Sequence, residues 1–317
     1  YAMMREYLWV IFWGILATFL YNYFACLLRA VGNSVAPLIF LAVSSVMNIV
    51  LDLWFVLGFH WGVAGAAFAT VLSQYVSGIG LAVYTYWKTP EFRIQPRYLK
   101  PKPAMLKEIG QFSFLTSVQQ SVMNLGILMV QGLVNSFGTV IMAAFAAAVK
   151  IDSFAYMPAQ EFGNAFSTFV AQNYGAGKSG RIREGIKKAV LMSVGFCLVI
   201  SLLVFIFARP LMTIFVDPSE TEILAAGVEY LRIEGAFYCG IGCLFLLYGL
   251  YRAIKRPGMS VVLTIFSLGT RVVLAYALSA IDFIGVTGIW WSVPIGWALA
   301  DLVGFLYYKK NKKKLFN

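Results

Sequence analysis

Long apolar blocks separated by short polar segments run along the whole chain. Nine blocks are long enough for an α-helix to cross the hydrocarbon core of a bilayer, which takes about 20 residues. They cover residues 7–28, 35–59, 62–87, 111–135, 138–171, 188–209, 222–250, 258–281 and 284–308. The pattern therefore predicts an all-α polytopic membrane protein with nine transmembrane helices.

Basic residues are concentrated in alternate loops. Of the 25 Lys and Arg residues, 20 follow the first, third, fifth, seventh and ninth blocks. Cytoplasmic loops carry the excess of positive charge, so these loops are predicted to be cytoplasmic. The C-terminus is then inside and Tyr1 outside.

One loop separates two helical lobes. Residues 88–107 are rich in proline and in basic side chains, as expected of a linker. The predicted segments are residues 1–87 as part of an N-lobe, 88–107 as the cytoplasmic inter-lobe loop, 108–308 as a C-lobe, and 309–317 as a basic cytoplasmic tail.

A weak internal repeat relates the two lobes. A shift of 223 residues places Arg29-Ala30 on Arg252-Ala253 and Gly62-Val63-Ala64-Gly65 on Gly285-Val286-Thr287-Gly288. Parallel repeats of this kind are a common transporter plan. Three blocks precede the second copy and none precedes the first. The repeat therefore predicts a parent of twelve helices, with three before Tyr1.

Polar oxygens meet at membrane depth in the first lobe. Asn48 and Asp52 lie one turn apart on the second block, and Thr70 lies on the third. Counted from the outer turn, Asp52 is roughly 10 Å deep, Thr70 roughly 12 Å and Asn48 roughly 16 Å. Oxygen ligands suit a small hard cation such as Na⁺, and a desolvated carboxylate suits a proton. The alternative is that these side chains only hydrogen-bond a neighbouring helix.

The second lobe lacks this set of oxygens. The positions that match Asn48, Asp52 and Thr70 in the repeat are Arg271, Ala275 and Val293. We therefore expect the coupling ion to bind only in the first lobe.

The fifth block is unusually long and carries ionisable residues. It contains Lys150, Asp152, Pro158 and Glu161. Pro158 is expected to kink the helix. Lys150 and Glu161 are eleven residues apart, hence on one face, and are predicted to line a water-filled cavity. The alternative is an ion pair between helices. Arg232, Glu234 and Asp301 allow the same two interpretations.

Composition excludes several other functions. The formal net charge is +11, but the basic residues set topology in short loops, so no nucleic acid is expected. Gly175–Gly180 fits a glycine-rich pattern but follows a helix, so no nucleotide is expected. His60 is the only histidine and lies in an outer turn, which argues against an enzyme.

Several segments resemble the multidrug and toxic compound extrusion (MATE) transporters, helices four to twelve of twelve. The segments are Leu28–Ser34 with Pro37, Asn48–Asp52, Gly62–Thr70, and Val170–Lys178 with Arg181. The resemblance implies an antiporter that exports amphipathic, often cationic compounds in exchange for Na⁺ or H⁺ by alternating access. Asn48, Asp52 and Thr70 match the cation site of the DinF-like branch in type and spacing.

The resemblance also implies a monomer in the plasma membrane of a prokaryote. It would contact membrane lipid and a small amphipathic substrate, and it would need no cofactor. Candidate substrate contacts are polar or adaptable side chains at membrane depth, together with the charged pair of the fifth block. They are Tyr21, Asn22, Gln119, Met123, Lys150 and Glu161. The alternative for the first four is ordinary helix packing. A flippase of lipid-linked saccharides, from the same superfamily, is the alternative function.

Overall fold

The computed structural model describes residues 2–92 and 102–315. Several residues of the predicted inter-lobe loop, and the predicted outer terminus, lie outside the described residues. They are Tyr1, Arg93, Pro96, Arg97, Lys100 and Pro101.

Helices make up nearly all of the described chain, in two runs. The first run is α1 (Ala2–Ala30), α2 (Val35–Leu53), a π-helical turn (Trp54–Gly58), α3 (Gly62–Lys88) and a short 3₁₀ turn (Pro90–Phe92). The second is α4 (Pro103–Asn135), α5 (Thr139–Gly175), α6 (Ser179–Met212), α7 (Thr221–Gly235), α8 (Tyr238–Ala253), α9 (Pro257–Thr264), a π-helical turn (Ile265–Gly269), α10 (Thr270–Ser279) and α11 (Val286–Leu315).

Seven helices in the described ranges are long and apolar enough to cross a membrane, and α7 with α8 forms an eighth, bent candidate. The predicted block that remains, the fourth at 111–135, lies in α4, which is 33 residues long but is not among these candidates. Polar residues such as Gln119, Gln120 and Asn124 interrupt it. The all-helical membrane architecture is confirmed, whereas the count of nine is not.

One predicted span is broken in two. Residues 222–250 form α7 and α8, whose axes differ by 51°. At the break the Phe237 amide bonds the Glu234 carbonyl at 3.0 Å and the Gly240 amide bonds the Phe237 carbonyl at 2.8 Å. Each of these bonds joins residues three apart, as in a 3₁₀-helix, and the helix changes direction there. Helix α5, in contrast, continues across Pro158.

The chain packs as two units, Tyr1–Lys102 and Pro103–Asn317. In unit 1, α3 is central and packs against α1 and α2. A Cβ atom on Gly78 would lie 2.8 Å from the Ala17 carbonyl oxygen of α1. Small residues at this crossing therefore let the two backbones approach closely, as in other membrane helix pairs.

Unit 2 is built around α5, which packs against α4, α6, α7 and α8. Its core includes the fully buried Trp290 of α11. The Trp290 ring is stacked on Phe145 at 5.7 Å between centroids and meets the edge of Tyr230 at 4.9 Å. Aromatic contacts thus join α5, α7 and α11.

The turns after α1 and α8 have the same local geometry, at the spacing of the sequence repeat. The Asn33 amide bonds the Leu28 carbonyl at 2.9 Å, and the Arg256 amide bonds the Tyr251 carbonyl at 2.8 Å. The intervening matched residues, Gly32 and Lys255, have φ values of 87° and 60°. Both turns are helix C-terminal motifs that need a left-handed residue.

Candidate functional site

A polar stripe runs along one face of α2, opposite α3. Ser44, Asn48 and Asp52 follow one another at intervals of four residues, so they lie on the same side of the helix. The buried Ser44 hydroxyl donates to the Ser73 carbonyl of α3 at 2.8 Å. The stripe therefore faces the α2–α3 interface, where polar groups find partners on the neighbouring helix.

Asn48 and Thr70 meet across this interface. The Asn48 amide Nδ2 donates to Thr70 Oγ1 at 3.5 Å, and Thr70 Oγ1 donates to the Ala66 carbonyl at 3.0 Å. The first bond is long and weak. Both residues are half-buried. The structure thus brings together two of the three predicted cation ligands.

Asp52 is one turn further along the same face. It is half-buried, and its Oδ1 atom is shielded from solvent without a hydrogen-bond donor among the described residues. A shielded carboxylate oxygen that lacks a donor is costly, more so when charged. A cation or a proton would satisfy that oxygen, so the residues present fit a coupling ion.

Aromatic rings surround the end of α2 beyond Asp52. Trp54, Phe55, Phe59 and Trp61 form a series of ring contacts with centroids 5.2–6.2 Å apart. Tryptophan-rich belts mark membrane–water interfaces. The π-helical turn Trp54–Gly58 begins two residues after Asp52, and such turns are frequent beside functional sites.

Two serines of α3 extend the polar interface and were not predicted. Ser73 and Ser77 are buried, and their hydroxyl oxygens lack a hydrogen-bond partner within the described ranges. Together with Thr70 they recur at intervals of three or four residues along α3. That spacing was visible in the sequence, but serine alone is too common in membrane helices to single out.

The candidate substrate contacts of unit 1 already have partners. The Tyr21 hydroxyl donates to the Pro37 carbonyl at 3.0 Å, and Asn22 Nδ2 donates to the Thr18 carbonyl at 2.9 Å. Asn22 is exposed and Tyr21 is half-buried. The first bond joins α1 to α2, so Tyr21 contributes to packing whatever else it contacts.

The candidate substrate contacts of unit 2 do not form one cluster. Gln119 is buried, and the Met123 sulfur accepts a bond from Tyr156 at 3.9 Å. Lys150 and Glu161 are both exposed, and no ion pair joins them in the part of the chain that the structure describes.

Lys150 and Glu161 each have a different neighbour. Lys150 Nζ lies 5.5 Å from the centre of the Phe215 ring. Glu161 Oε1 accepts a bond from Asn164 at 3.3 Å, and Asn164 Oδ1 in turn accepts one from Arg252 at 3.1 Å. The sequence placed Lys150 and Glu161 on one face of α5, but about three helical turns separate them along the axis.

A second ionisable cluster lies in the core of unit 2. Asp152 and Glu234 are buried, the Tyr238 hydroxyl donates to Asp152, and Arg271 is close by. The sequence indicated Asp152, Glu234 and Arg271 as charges at membrane depth, but it did not place them together, and it did not indicate Tyr238. Among the described residues, no group of three or more His, Cys, Asp or Glu side chains is arranged to hold a metal ion.

Comparison with known proteins decides the family. The MatE profile matches residues 1–54 and 113–277. The chain is 32% identical to "Probable multidrug resistance protein YpnP" of Bacillus subtilis over 98% of its own length and 69% of that protein. The chain belongs to the MatE family. The resemblance inferred from the sequence is confirmed, and membership makes the protein a membrane transporter and not an enzyme.

Other MatE relatives match the same range. "Probable multidrug resistance protein NorM" of Thermotoga maritima is 28% identical and "Multidrug export protein MepA" of Staphylococcus aureus is 24% identical, over 98% and 96% of this chain. The chain covers 66% of each of these two relatives. It thus spans about two thirds of the length of the curated relatives.

Solved MATE structures have the same fold. A point mutant of the Vibrio cholerae MATE transporter VcmN superposes with a TM-score of 0.91 at 23% identity, over 99% of this chain and 71% of that one. A MOP superfamily transporter from Pyrococcus furiosus superposes with a TM-score of 0.90 at 24% identity, over 98% and 70%. At these identities the likeness establishes the fold alone.

Proposed function

We propose that this MatE protein is a secondary antiporter that exports amphipathic, often cationic compounds in exchange for Na⁺ or H⁺ by alternating access. Relatives named as multidrug resistance and export proteins support the substrate class. The observation that supports coupling to an ion is the shielded Oδ1 atom of Asp52. This atom lacks a hydrogen-bond donor among the described residues, and Asp52 lies one turn from Asn48. The proposal includes the two-lobe, twelve-helix architecture expected from the sequence, with a cytoplasmic C-terminus.

The proposed ion site combines three kinds of oxygen. Asp52 supplies the charge, Asn48 supplies its amide oxygen, and Thr70 supplies a hydroxyl lone pair, because its proton is donated to Ala66. Asn48 Nδ2 is turned towards Thr70, which leaves Asn48 Oδ1 free of that contact. Oxygen donors of this kind suit Na⁺, and Asp52 alone suffices for a proton.

Binding either ion has the same electrostatic consequence. It neutralises a carboxylate that α2 otherwise carries at membrane depth, where charge is costly. A conformation that exposes Asp52 and one that buries it therefore bind the ion with different affinities. Ion binding then shifts the equilibrium between the two conformations, because a ligand shifts an equilibrium only through such a difference in affinity. Tyr21, Asn22, Gln119, Met123, Lys150 and Glu161 remain the proposed substrate contacts.

Dye efflux from proteoliposomes tests the proposal. Vesicles that contain the intact protein are loaded with a fluorescent cationic dye, and a Na⁺ gradient or a pH gradient is imposed separately. Asp52→Asn keeps the size of the side chain and removes its charge. Ser45→Ala is the matched control, because Ser45 is an exposed residue of α2 whose hydroxyl donates to the Leu41 carbonyl of its own helix, at 2.9 Å.

We expect one gradient to drive efflux, Asp52→Asn to reduce the rate to that of empty vesicles, and Ser45→Ala to retain it. The gradient that works identifies the coupling ion. Wild-type efflux by Asp52→Asn would refute the assignment of the ion site. Efflux that neither gradient changes would refute the antiport mechanism itself.

A further inference from the structure

Two carboxyl groups that the proposed transport site does not use are buried in the core of unit 2. Asp152 of α5 is 7% exposed and Glu234 of α7 is 6% exposed. The two side chains are close enough for a hydrogen bond between the carboxyl groups. The Tyr238 hydroxyl donates to Asp152 Oδ1, and the Tyr230 hydroxyl also lies within hydrogen-bonding reach of both acids.

The unsatisfied atoms of the cluster indicate what is missing from it. Asp152 Oδ2 and Glu234 Oε2 are both shielded and lack a hydrogen-bond donor among the described residues. An ionised carboxylate only accepts, so two ionised neighbours cannot satisfy each other. With one proton bound, the protonated carboxyl group donates a hydrogen bond and the ionised carboxylate beside it accepts that bond.

Charge balance leads to the same count of protons. Arg271 of α10 is the basic group that acts on both acids, and its Nε atom has no acceptor within the described ranges. Two ionised carboxylates and one guanidinium would leave an excess negative charge in an apolar core, which is strongly disfavoured. With one proton bound, the cluster is neutral.

Other polar groups around the cluster do not change this balance. Tyr156 of α5 lies near Glu234 and Arg271 and is neutral, and the neutral Trp290 of α11 contacts the Tyr230 ring. The remaining cations of α5 and α7 are turned elsewhere: Lys150 lies over the Phe215 ring and Arg232 over the Phe205 ring, each at 5.5 Å.

We propose that unit 2 contains a proton-binding site in which Asp152 and Glu234 share one proton against the fixed charge of Arg271. The site is separate from the proposed ion site at Asp52 and does not depend on the transport function.

The position of the site gives the proton a structural effect. Glu234 is the next-to-last residue of α7 and Tyr238 is the first of α8, so the acids connect α5 to both sides of the 51° bend. The shared proton holds α5 against the bend. Its loss places two negative charges side by side and favours separation of α5 from α7.

Infrared spectroscopy of the purified protein in nanodiscs tests the proposal directly. The C=O stretch of a protonated carboxyl group is recorded near neutral pH in wild type, Asp152→Asn, Glu234→Gln and the double variant. Glu229→Gln is the matched control, because Glu229 is an exposed acid on the same helix, bonded to Thr287 at 2.7 Å. Gel filtration shows whether each variant is folded.

A shared proton predicts that either single substitution removes one band, that the double variant removes no more, and that Glu229→Gln removes none. Two bands lost one at a time would overturn sharing, and no loss in any variant would overturn proton binding at this site. Tyr238→Phe keeps both acids and should shift the band without abolishing it, since one hydrogen bond is lost. Arg271→Gln should add a second band, because the balancing charge is gone. Neither variant tests transport, so failure here leaves the antiport proposal untouched.

Discussion

The contact between α5 and α8 depends on two glycines, which gives a prediction whose size follows from the structure. A Cβ atom on Gly249 of α8 would lie 2.5 Å from the Gly163 carbonyl oxygen of α5, whereas real Cβ atoms essentially never approach within 3.0 Å. In Gly249→Ala the helices must therefore separate by at least about half an ångström at this crossing.

The expected loss of stability in Gly249→Ala is the cost of the added methyl group minus the gain from removing a helical glycine. Inserting a methyl group into a packed interface costs about 1–3 kcal/mol. Replacing a helical glycine by alanine stabilises the helix by about 0.8–1.0 kcal/mol in water. Gly195 of α6 isolates the second effect, because a Cβ there meets nothing within 4 Å. Gly249→Ala should therefore be less stable than Gly195→Ala by about 1–3 kcal/mol.

Unfolding in mixed micelles of mild detergent and SDS measures this difference, with both variants and wild type followed by intrinsic tryptophan fluorescence. Gly195→Ala should unfold at the wild-type SDS fraction or above, and Gly249→Ala below it. Equal midpoints for the two variants would show that α5 and α8 do not pack backbone to backbone as described.

Three further predictions concern other parts of the molecule. Thr70→Val removes one oxygen ligand and should lower Na⁺ affinity about tenfold or more, if Na⁺ is the coupling ion, as measured by isothermal titration; an unchanged affinity would exclude Thr70 as a ligand. Tyr251→Phe removes a buried hydrogen bond to the Gly304 carbonyl at 2.6 Å and should cost about 0.5–1.5 kcal/mol in the same SDS assay. Hydrogen bonds from the Ser219 hydroxyl and amide, at 2.6 and 2.9 Å, hold the pKa of Asp217 below its usual value. The stability from Asp217 is therefore present above its unfolded-state pKa and is lost as the pH falls through the lower folded-state pKa, so Asp217→Ala should show a weaker dependence of the melting temperature on acid pH; an identical acid dependence would contradict it.

Local patterns accounted for the architecture of the chain. Runs of apolar residues predicted helices at nearly the observed positions, because a backbone in lipid must satisfy its hydrogen bonds within one segment. The repeat of 223 residues predicted matching turns, and Gly62 and Gly285 indeed have similar φ values of 56° and 51°. Family membership followed from short segments whose residues are local in the chain.

The ends and the breaks of the helices were harder to predict from the sequence. Helix α4 begins at Pro103, inside the predicted loop 88–107, since a proline is well suited to the first turn of a helix. No proline near the bend between α7 and α8 indicates it in the sequence. Two π-helical turns, at Trp54–Gly58 and Ile265–Gly269, also carry no clear sequence signal.

The sequence by itself determined that this protein crosses the membrane many times, that it belongs among the MATE transporters, and that Asn48 and Thr70 lie on helices joined by a tight turn. These features depend on residues close together in the chain. Only the tertiary structure decided that Asp152, Glu234 and Arg271 share one buried site, while Lys150 and Glu161 do not. The distance between two charges on different helices is set by how those helices bend and pack, and no local pattern encodes it.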